Sequence, residues 1–389
     1  MQSAGKRSAA EGGAKEQAPL RYRRIVAKFG TNLLTGGTDR LDLQMMAALV
    51  GQVARLVQRG AEVIVVTSGA VAAGQHRLGG ERRSRRDLTF KQVLASIGQT
   101  QLMQSWDSLF AWHDLVVGQT LLTRRDIFDR LGYLNARNAL LGLLEAGAIP
   151  IVNENDVVAT DEIAEARIGD NDNLSAYVAN LTDAGLLAIL TNIDGLYDKD
   201  PHLHADAALV PVVPHISGET EAMAGKAISE RSRGGMVTKL QAAKLATASG
   251  VDVVIANGHA PDVLPRLAAG EGIGTLFPAT VDHLESRRRW IRAAVAPKGR
   301  IVVDVGAARA LAAGKSLLPA GVIAAEGSFQ PADLVEIAGR DGRRLAVGLA
   351  RYACADVELI RGKRSDAIEA LLGYSYGDAV VHRDDLVLE

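Results

Sequence analysis

The sequence predicts a three-layer α/β domain on a mostly parallel sheet, followed by a small mixed β-barrel domain. Three observations predict it. Apolar runs such as Val63-Ile64-Val65-Val66, Leu186 to Leu190 and Val251 to Ala256 alternate with segments of helical period, as strands covered by helices on both faces require. The chain has 389 residues, more than one ordinary core accommodates. Beyond about residue 298 the pattern changes to short strands separated by Gly and Asp turns, including Arg300 to Val305, Leu334 to Ala338 and Leu345 to Leu349.

Composition narrows the function classes. Lys and Arg total 44 against 45 Asp and Glu, so no global field draws the chain onto nucleic acid or an anionic membrane. No apolar run is long enough to span a bilayer. The single cysteine, Cys354, excludes an intrachain disulfide and fits a reducing compartment. Residues 1 to 23 carry basic residues among Gly, Ala and Ser with little to bury, and read as a disordered basic tail without the apolar segment of a signal peptide. Cytoplasm is the expected location.

In chain order, a strand Ile25 to Phe29 ends on Lys28-Phe29-Gly30-Thr31, where a lysine meets the amides of a tight turn. A helix from Leu41 to Val57 follows, closed by Gly60. The apolar strand 63 to 66 runs into Thr67-Ser68-Gly69-Ala70. Ser68 is no nucleophile elbow, since Val66 and Ala70 stand where glycines are needed; it either caps the next helix or holds an anion at the sheet edge. Next come a helix Leu88 to Phe110, a strand Leu115 to Val117, and a helix Leu134 to Glu145.

The strand Ile149 to Val152 leads into Asn153-Glu154-Asn155-Asp156, and after an excursion into Gly169-Asp170-Asn171-Asp172-Asn173, with a helix expected from Leu174. Seven Asn and Asp side chains thus gather where a strand ends. Carboxyl ends of strands and amino ends of helices are where ligands bind in open α/β sheets. An Asx-rich turn accounts for two or three such residues, but seven point to a ligand site.

The strand Leu186 to Leu190 precedes the loop Thr191 to Tyr197 and a helix ending near Ala227. Gly234-Gly235 then opens a helix Met236 to Ala248 that carries Lys239, combining free amides, a helix dipole and a cation as a phosphate cradle. The first domain closes near Phe277, giving the boundaries 24–278 and 298–389 with a linker at 279–297. Three motifs are decoys: Gly314-Lys315-Ser316 lacks the earlier glycine of a phosphate loop, Gly270, Gly272 and Gly274 miss the dinucleotide spacing, and His202 with His204 has no Cys or further His nearby.

Taken in order, Lys28 to Thr31, Thr67 to Ala70, Asn153 to Asp156, Gly169 to Asn173, Gly195-Leu196-Tyr197 and Gly234-Gly235-Met236 with Lys239 resemble the glutamate 5-kinase family, enzymes of the amino-acid-kinase fold. Leu284 to Trp290 and Ser316 to Pro319 resemble that family's linker and its C-terminal PUA domain. The resemblance implies that Lys28 and Lys239 are the ATP and transition-state cations and that Asp172 orients them. Ser68, Asp156 and Asn171 would hold glutamate. Thr191, Asn192, Arg233, Gly234, Gly235, Met236, Val237, Thr238 and Lys239 would line the nucleotide. It further implies ATP with Mg2+, L-glutamyl 5-phosphate and ADP as products, inhibition by proline, and a homo-oligomer. The chain departs from the family at Asn192, where Asp is common, at Ser232-Arg233, where Gly-Thr is usual, and at an insertion Ala164-Glu165-Ala166. Arg at the second of those loop positions also occurs in related kinase domains of pyrroline-5-carboxylate synthases.

The chemistry suits such an assignment. A glutamate side chain, which ordinarily titrates at about 4.3, is already an anion at neutral pH and needs no general base. Catalysis then rests on positioning and charge neutralisation. Aspartate, acetylglutamate, carbamate and UMP are alternative acceptors on the same fold, and an RNA-binding protein with a structural kinase-like half is the competing class. Against RNA, residues 298 to 389 hold 12 Lys and Arg to 13 Asp and Glu, and few aromatics.

Overall fold

A computed structural model of the chain describes residues 19–79, 88–159, 170–201, 203–226, 235–281 and 297–388. Seven strands form the first sheet: β1 (Arg24–Phe29), β2 (Glu62–Val66), β3 (Val117–Leu122), β4 (Ile149–Glu154), β5 (Leu186–Thr191), β6 (Asp252–Asn257) and β7 (Thr275–Phe277). Their spatial order is β3-β4-β2-β1-β5-β6-β7, parallel throughout except for the antiparallel β6–β7 pair. Strand order reverses direction about β1, the topological switch point where such sheets bind ligands. The helices are α1 (Thr31–Thr35), α2 (Leu43–Gln58), α3 (Ala70–Arg77), α4 (Leu88–Ala111), α5 (Arg124–Phe128), α6 (Arg130–Glu145), α7 (Asp170–Leu181), α8 (Gly218–Lys226), α9 (Gly235–Thr247) and α10 (Val263–Ala268).

The period of a strand decides which face each β1 residue serves. Ile25, Ala27 and Phe29 join one core with Leu49 and Val53 of α2 and Trp106 of α4, whereas Val26 joins the other with residues of α6, α7 and α9. Lys28 shares the parity of Val26. It therefore leaves the sheet on the side of α7 and α9. Trp106 is fully buried, stacks on Phe29 at a centroid distance of 5.8 Å and donates its indole N–H to Thr67 Oγ1.

Helices α3 and α4 pack through two glycines. A Cβ on Gly74 would lie 1.9 Å from the Leu94 carbonyl oxygen, and one on Gly98 would lie 1.8 Å from that of Ala70. Only glycine permits this approach, which seats α4 over the turn after β2.

Several boundaries differ from the sequence expectation for local reasons. The α7 helix begins at Asp170, four residues before Leu174, because the Asp and Asn cluster forms its first turn, where the helix dipole favours acceptors. The expected strand at Leu115 starts instead at Val117 and continues to Leu122, since parallel pairing with β4 carries the polar Gln119 and Thr120. Tyr22, assigned to the tail, is buried and donates its hydroxyl to Asp252 at 2.6 Å, so the domain's packing begins before residue 24. Residues 1–18, the Ala164-Glu165-Ala166 insertion and linker residues 282–296 lie outside the described residues.

The second domain is a five-stranded mixed sheet of β8 (Gly299–Val303), β9 (Val322–Gly327), β10 (Leu334–Gly339), β11 (Arg344–Leu349) and β12 (Leu386–Leu388), ordered β12-β11-β10-β8-β9. Only β8 and β10 pair in parallel. Three helices, α11 (Val305–Ala312), α12 (Cys354–Ile360) and α13 (Ile368–Leu372), accompany it. Strand β8 stops at Val303 because Asp304 caps α11, accepting from the Ala307 amide at 2.7 Å. A separate apolar cluster joins the two domains: Tyr133 and Leu134 of α6 pack on Ala332, Leu334, Val347, Leu349 and Val387.

Candidate active site

Three elements converge at the carboxyl end of β1. Lys28 is the penultimate residue of that strand, Asp172 sits in the first turn of α7, and Lys239 sits in the second turn of α9. All three side chains are buried. Lys28 Nζ lies 2.5 Å from Asp172 Oδ1 and Lys239 Nζ lies 3.2 Å from Asp172 Oδ2. Thr238 donates its hydroxyl to Asp172 Oδ2 at 2.7 Å, and Lys239 donates to the Gly235 carbonyl at 2.9 Å. One carboxylate thus organises two ammonium groups, leaving a surplus positive charge at the switch point of the sheet.

The electrostatics follow from that geometry. Burial alone would push the Asp172 carboxyl up, but Lys28, Lys239 and the hydrogen bonds from Lys28 and Thr238 outweigh it and hold the group at about 2. Burial pushes Lys239 down from 10.5, Asp172 opposes that shift and Lys28 reinforces it.

Ser68 is buried just past β2, and the N-cap of α3 is Gly69 at φ 103°, so Ser68 does not cap that helix. Asp156 lies in the turn after β4, whose Asn155 amide is held by the Leu122 carbonyl at 3.0 Å. Asn171 precedes Asp172 in α7, and its Oδ1 is buried without a hydrogen-bond partner. Thr191 ends β5, and its hydroxyl donates to Asn192 Oδ1 at 3.2 Å. Gly235, Met236, Val237 and Thr238 form the first turn of α9, as a phosphate cradle requires. Arg233 and Gly234 lie outside the described residues.

Sequence reasoning missed one member of this neighbourhood. Gln99 of α4 accepts from Asn153 Nδ2 at 2.8 Å at the end of β4, while Gln99 Nε2 and Asn153 Oδ1 are buried without partners. Buried amide groups are normally hydrogen-bonded, so these two atoms have bonding capacity to spare at the end of β4. The only sequence signal for Gln99 is its place directly after Gly98, whose close packing on α3 is a tertiary fact.

Residues 23–257 match the amino acid kinase family and residues 299–372 match the PUA domain. The chain is similar to glutamate 5-kinases across both regions. It is 51% identical to that of Dehalococcoides mccartyi strain CBDB1 over 94% of this chain and 98% of the relative. It is 52% identical to that of Herpetosiphon aurantiacus over 94% and 98%, and 49% identical to that of Shewanella amazonensis over 94% and 96%. Identity near one half across both domains and almost the whole length of each relative places this chain in the glutamate 5-kinase family, within the amino acid kinase fold.

Proposed function

We propose that this chain transfers the γ-phosphoryl group of ATP to the side-chain carboxylate of L-glutamate, giving L-glutamyl 5-phosphate and ADP, the first step of proline synthesis. The observation that carries the reading is the Lys28–Asp172–Lys239 arrangement. A carboxylate oxygen of glutamate attacks the γ-phosphorus; the new O–P bond forms as the bond to the β-phosphate bridging oxygen breaks, and ADP leaves with that electron pair. No proton moves. The obstacle is anion–anion repulsion, which two buried ammonium groups and the α9 amides offset most strongly as charge spreads over the transferring group.

Glutamate binding is assigned to Ser68, Asp156 and Asn171, and the nucleotide to Thr191, Asn192 and the 233–239 segment. Asp156 supplies the carboxylate suited to the substrate ammonium group. Magnesium fits as a companion of ATP: among the described residues no group of three or more His, Cys, Asp or Glu is arranged to hold a metal, and both Asp172 oxygens face lysines. Its ligands would be phosphate oxygens and water, where it neutralises phosphate charge. Proline inhibition, homo-oligomeric assembly and a cytoplasmic location belong to the same reading; among the described residues no helix is long and apolar enough to cross a membrane.

The deciding experiment measures ADP formation with glutamate, aspartate and UMP as acceptors, trapping the acyl phosphate with hydroxylamine. Turnover with glutamate alone is expected. Preference for UMP or aspartate would overturn the acceptor. Proline titration and sedimentation of the same preparation test inhibition and assembly.

A further inference from the structure

We propose that Arg137 is a positioning residue through which the C-terminal domain fixes the helix that bears Asp172. The proposal rests on the assignment of Asp172, Lys28 and Lys239 to the transfer site. Arg137 lies on α6, three residues after Leu134, and so on the same side of the helix as the seam between the domains. Its side chain is buried. Nη1 donates to the Leu181 carbonyl at the last turn of α7, where carbonyls lack helical partners and the dipole favours a cation. Nη2 lies 2.6 Å from Asp183 Oδ2 and 3.6 Å from Asp384 Oδ2. Asp384 belongs to the short turn Arg383–Asp385 that leads into β12. One planar guanidinium therefore joins the end of α7 to the second domain.

A second tie makes the arrangement mechanically specific. Arg24, at the start of β1, donates to the Thr182 carbonyl and pairs with Glu62 at 2.6 Å. Strand β1 and helix α7 are thus joined at both ends, by Arg24 to Thr182 and by Lys28 to Asp172. A twelve-residue helix is a rod of about 18 Å, so an axial shift at Leu181 is passed to Asp172 at the other end. Arg137 shares with Arg24 the fixing of that axial position, held closely by Asp183 and linked by charge to the second domain through Asp384. The C-terminal domain acts on the reaction without touching substrate.

The test uses the full chain. Asp384→Asn keeps the shape and leaves Asp183 to neutralise Arg137. It is expected to lower kcat about threefold to tenfold through misplacement of the carboxylate that aligns the lysines, with Tm unchanged. Val387→Ala, in the same apolar seam but not among the groups that bond or pair with the guanidinium, is expected to lower Tm while kcat holds. Asp384→Glu should restore most of the rate, and Arg137→Lys combined with Asp384→Asn should be no slower than Arg137→Lys alone. Full kcat in Asp384→Asn, no rescue by Glu, or a kcat loss in Val387→Ala that tracks its Tm would each overturn the proposal. Failure of the underlying site would appear separately, as near-normal turnover in Lys239→Met.

Discussion

Lys28 and Asp172 meet at 2.5 Å although they lie 144 positions apart, and Asp172 meets Lys239 with its other oxygen at 3.2 Å. The carboxylate is shared, so neither lysine is fully neutralised. That residual charge is what the proposed transfer of a phosphoryl group would draw on.

Lys239→Met removes one of the two cations while preserving side-chain length. Turnover should fall on the order of a hundredfold or more, as is typical of losing a group that meets developing charge, with the Michaelis constant for glutamate nearly unchanged. Steady-state kinetics with varied glutamate read both quantities, and near-normal turnover would remove Lys239 from the transfer step.

The pH dependence follows from two shifts of known sign. Asp172 is held at about 2 against an ordinary value of 3.8, a depressed carboxyl. Its stabilising contribution is therefore fully present above 3.8 and is lost as pH falls from there through about 2. No acid limb of activity near neutral pH should belong to Asp172. Lys239 is lowered from 10.5, so an alkaline limb in kcat is expected below that value. In Asp172→Asn the charge that raises Lys239 is gone, and the limb should move to still lower pH. A limb that stays in place or moves up would contradict the coupling.

Asp156→Ala should act on glutamate binding. Uniform loss of ground-state and transition-state binding raises the Michaelis constant and spares kcat, and a rise on the order of tenfold or more for glutamate is expected for losing a charged contact. An unchanged constant for glutamate with a raised one for ATP would transfer Asp156 to the nucleotide side.

Gly98→Ala tests the fold beneath the site. Its Cβ would fall 1.8 Å from the Ala70 carbonyl oxygen, so α3 and α4 must separate. Overpacking of this kind costs about 1–3 kcal/mol or more. Urea denaturation should show at least that loss, accompanied by weaker glutamate binding as the clash at Ala70 displaces the turn that carries Ser68. A stability equal to the parent would mean that the two helices slide apart freely.

The last prediction concerns RNA. In the C-terminal domain Tyr352, Tyr374 and Tyr376 cluster with centroids 5.1–6.3 Å apart, but Tyr352 is buried and Tyr374 donates its hydroxyl to Asp356 at 2.6 Å. An acidic partner beside the exposed rings and a balanced charge oppose phosphate binding. Titration of the full chain with structured RNA at physiological salt should give only weak, sequence-independent binding. Sub-micromolar, sequence-selective affinity would reverse this expectation.

The sequence by itself determined the layers, the parallel strands and the residues able to carry chemistry. Apolar runs and helical periods are local properties, and β1, β2, β4, β5 and β6 followed from them. So did the placing of Lys28, Asp172 and Lys239 in segments rich in turn and helix-start residues. Tertiary structure alone decided what these segments do together. The first turn of α7 took up an Asx cluster that reads locally as loop, because packing on β1 and α9 outweighs turn preference. The Gln99–Asn153 pair and the Arg137 tie join residues 54 and 44 to 247 positions apart, and no period or motif in one chain encodes such separations. Contacts of that kind arise only when the sheet order is fixed, since burial of the whole core, rather than any local preference, selects which side chains meet.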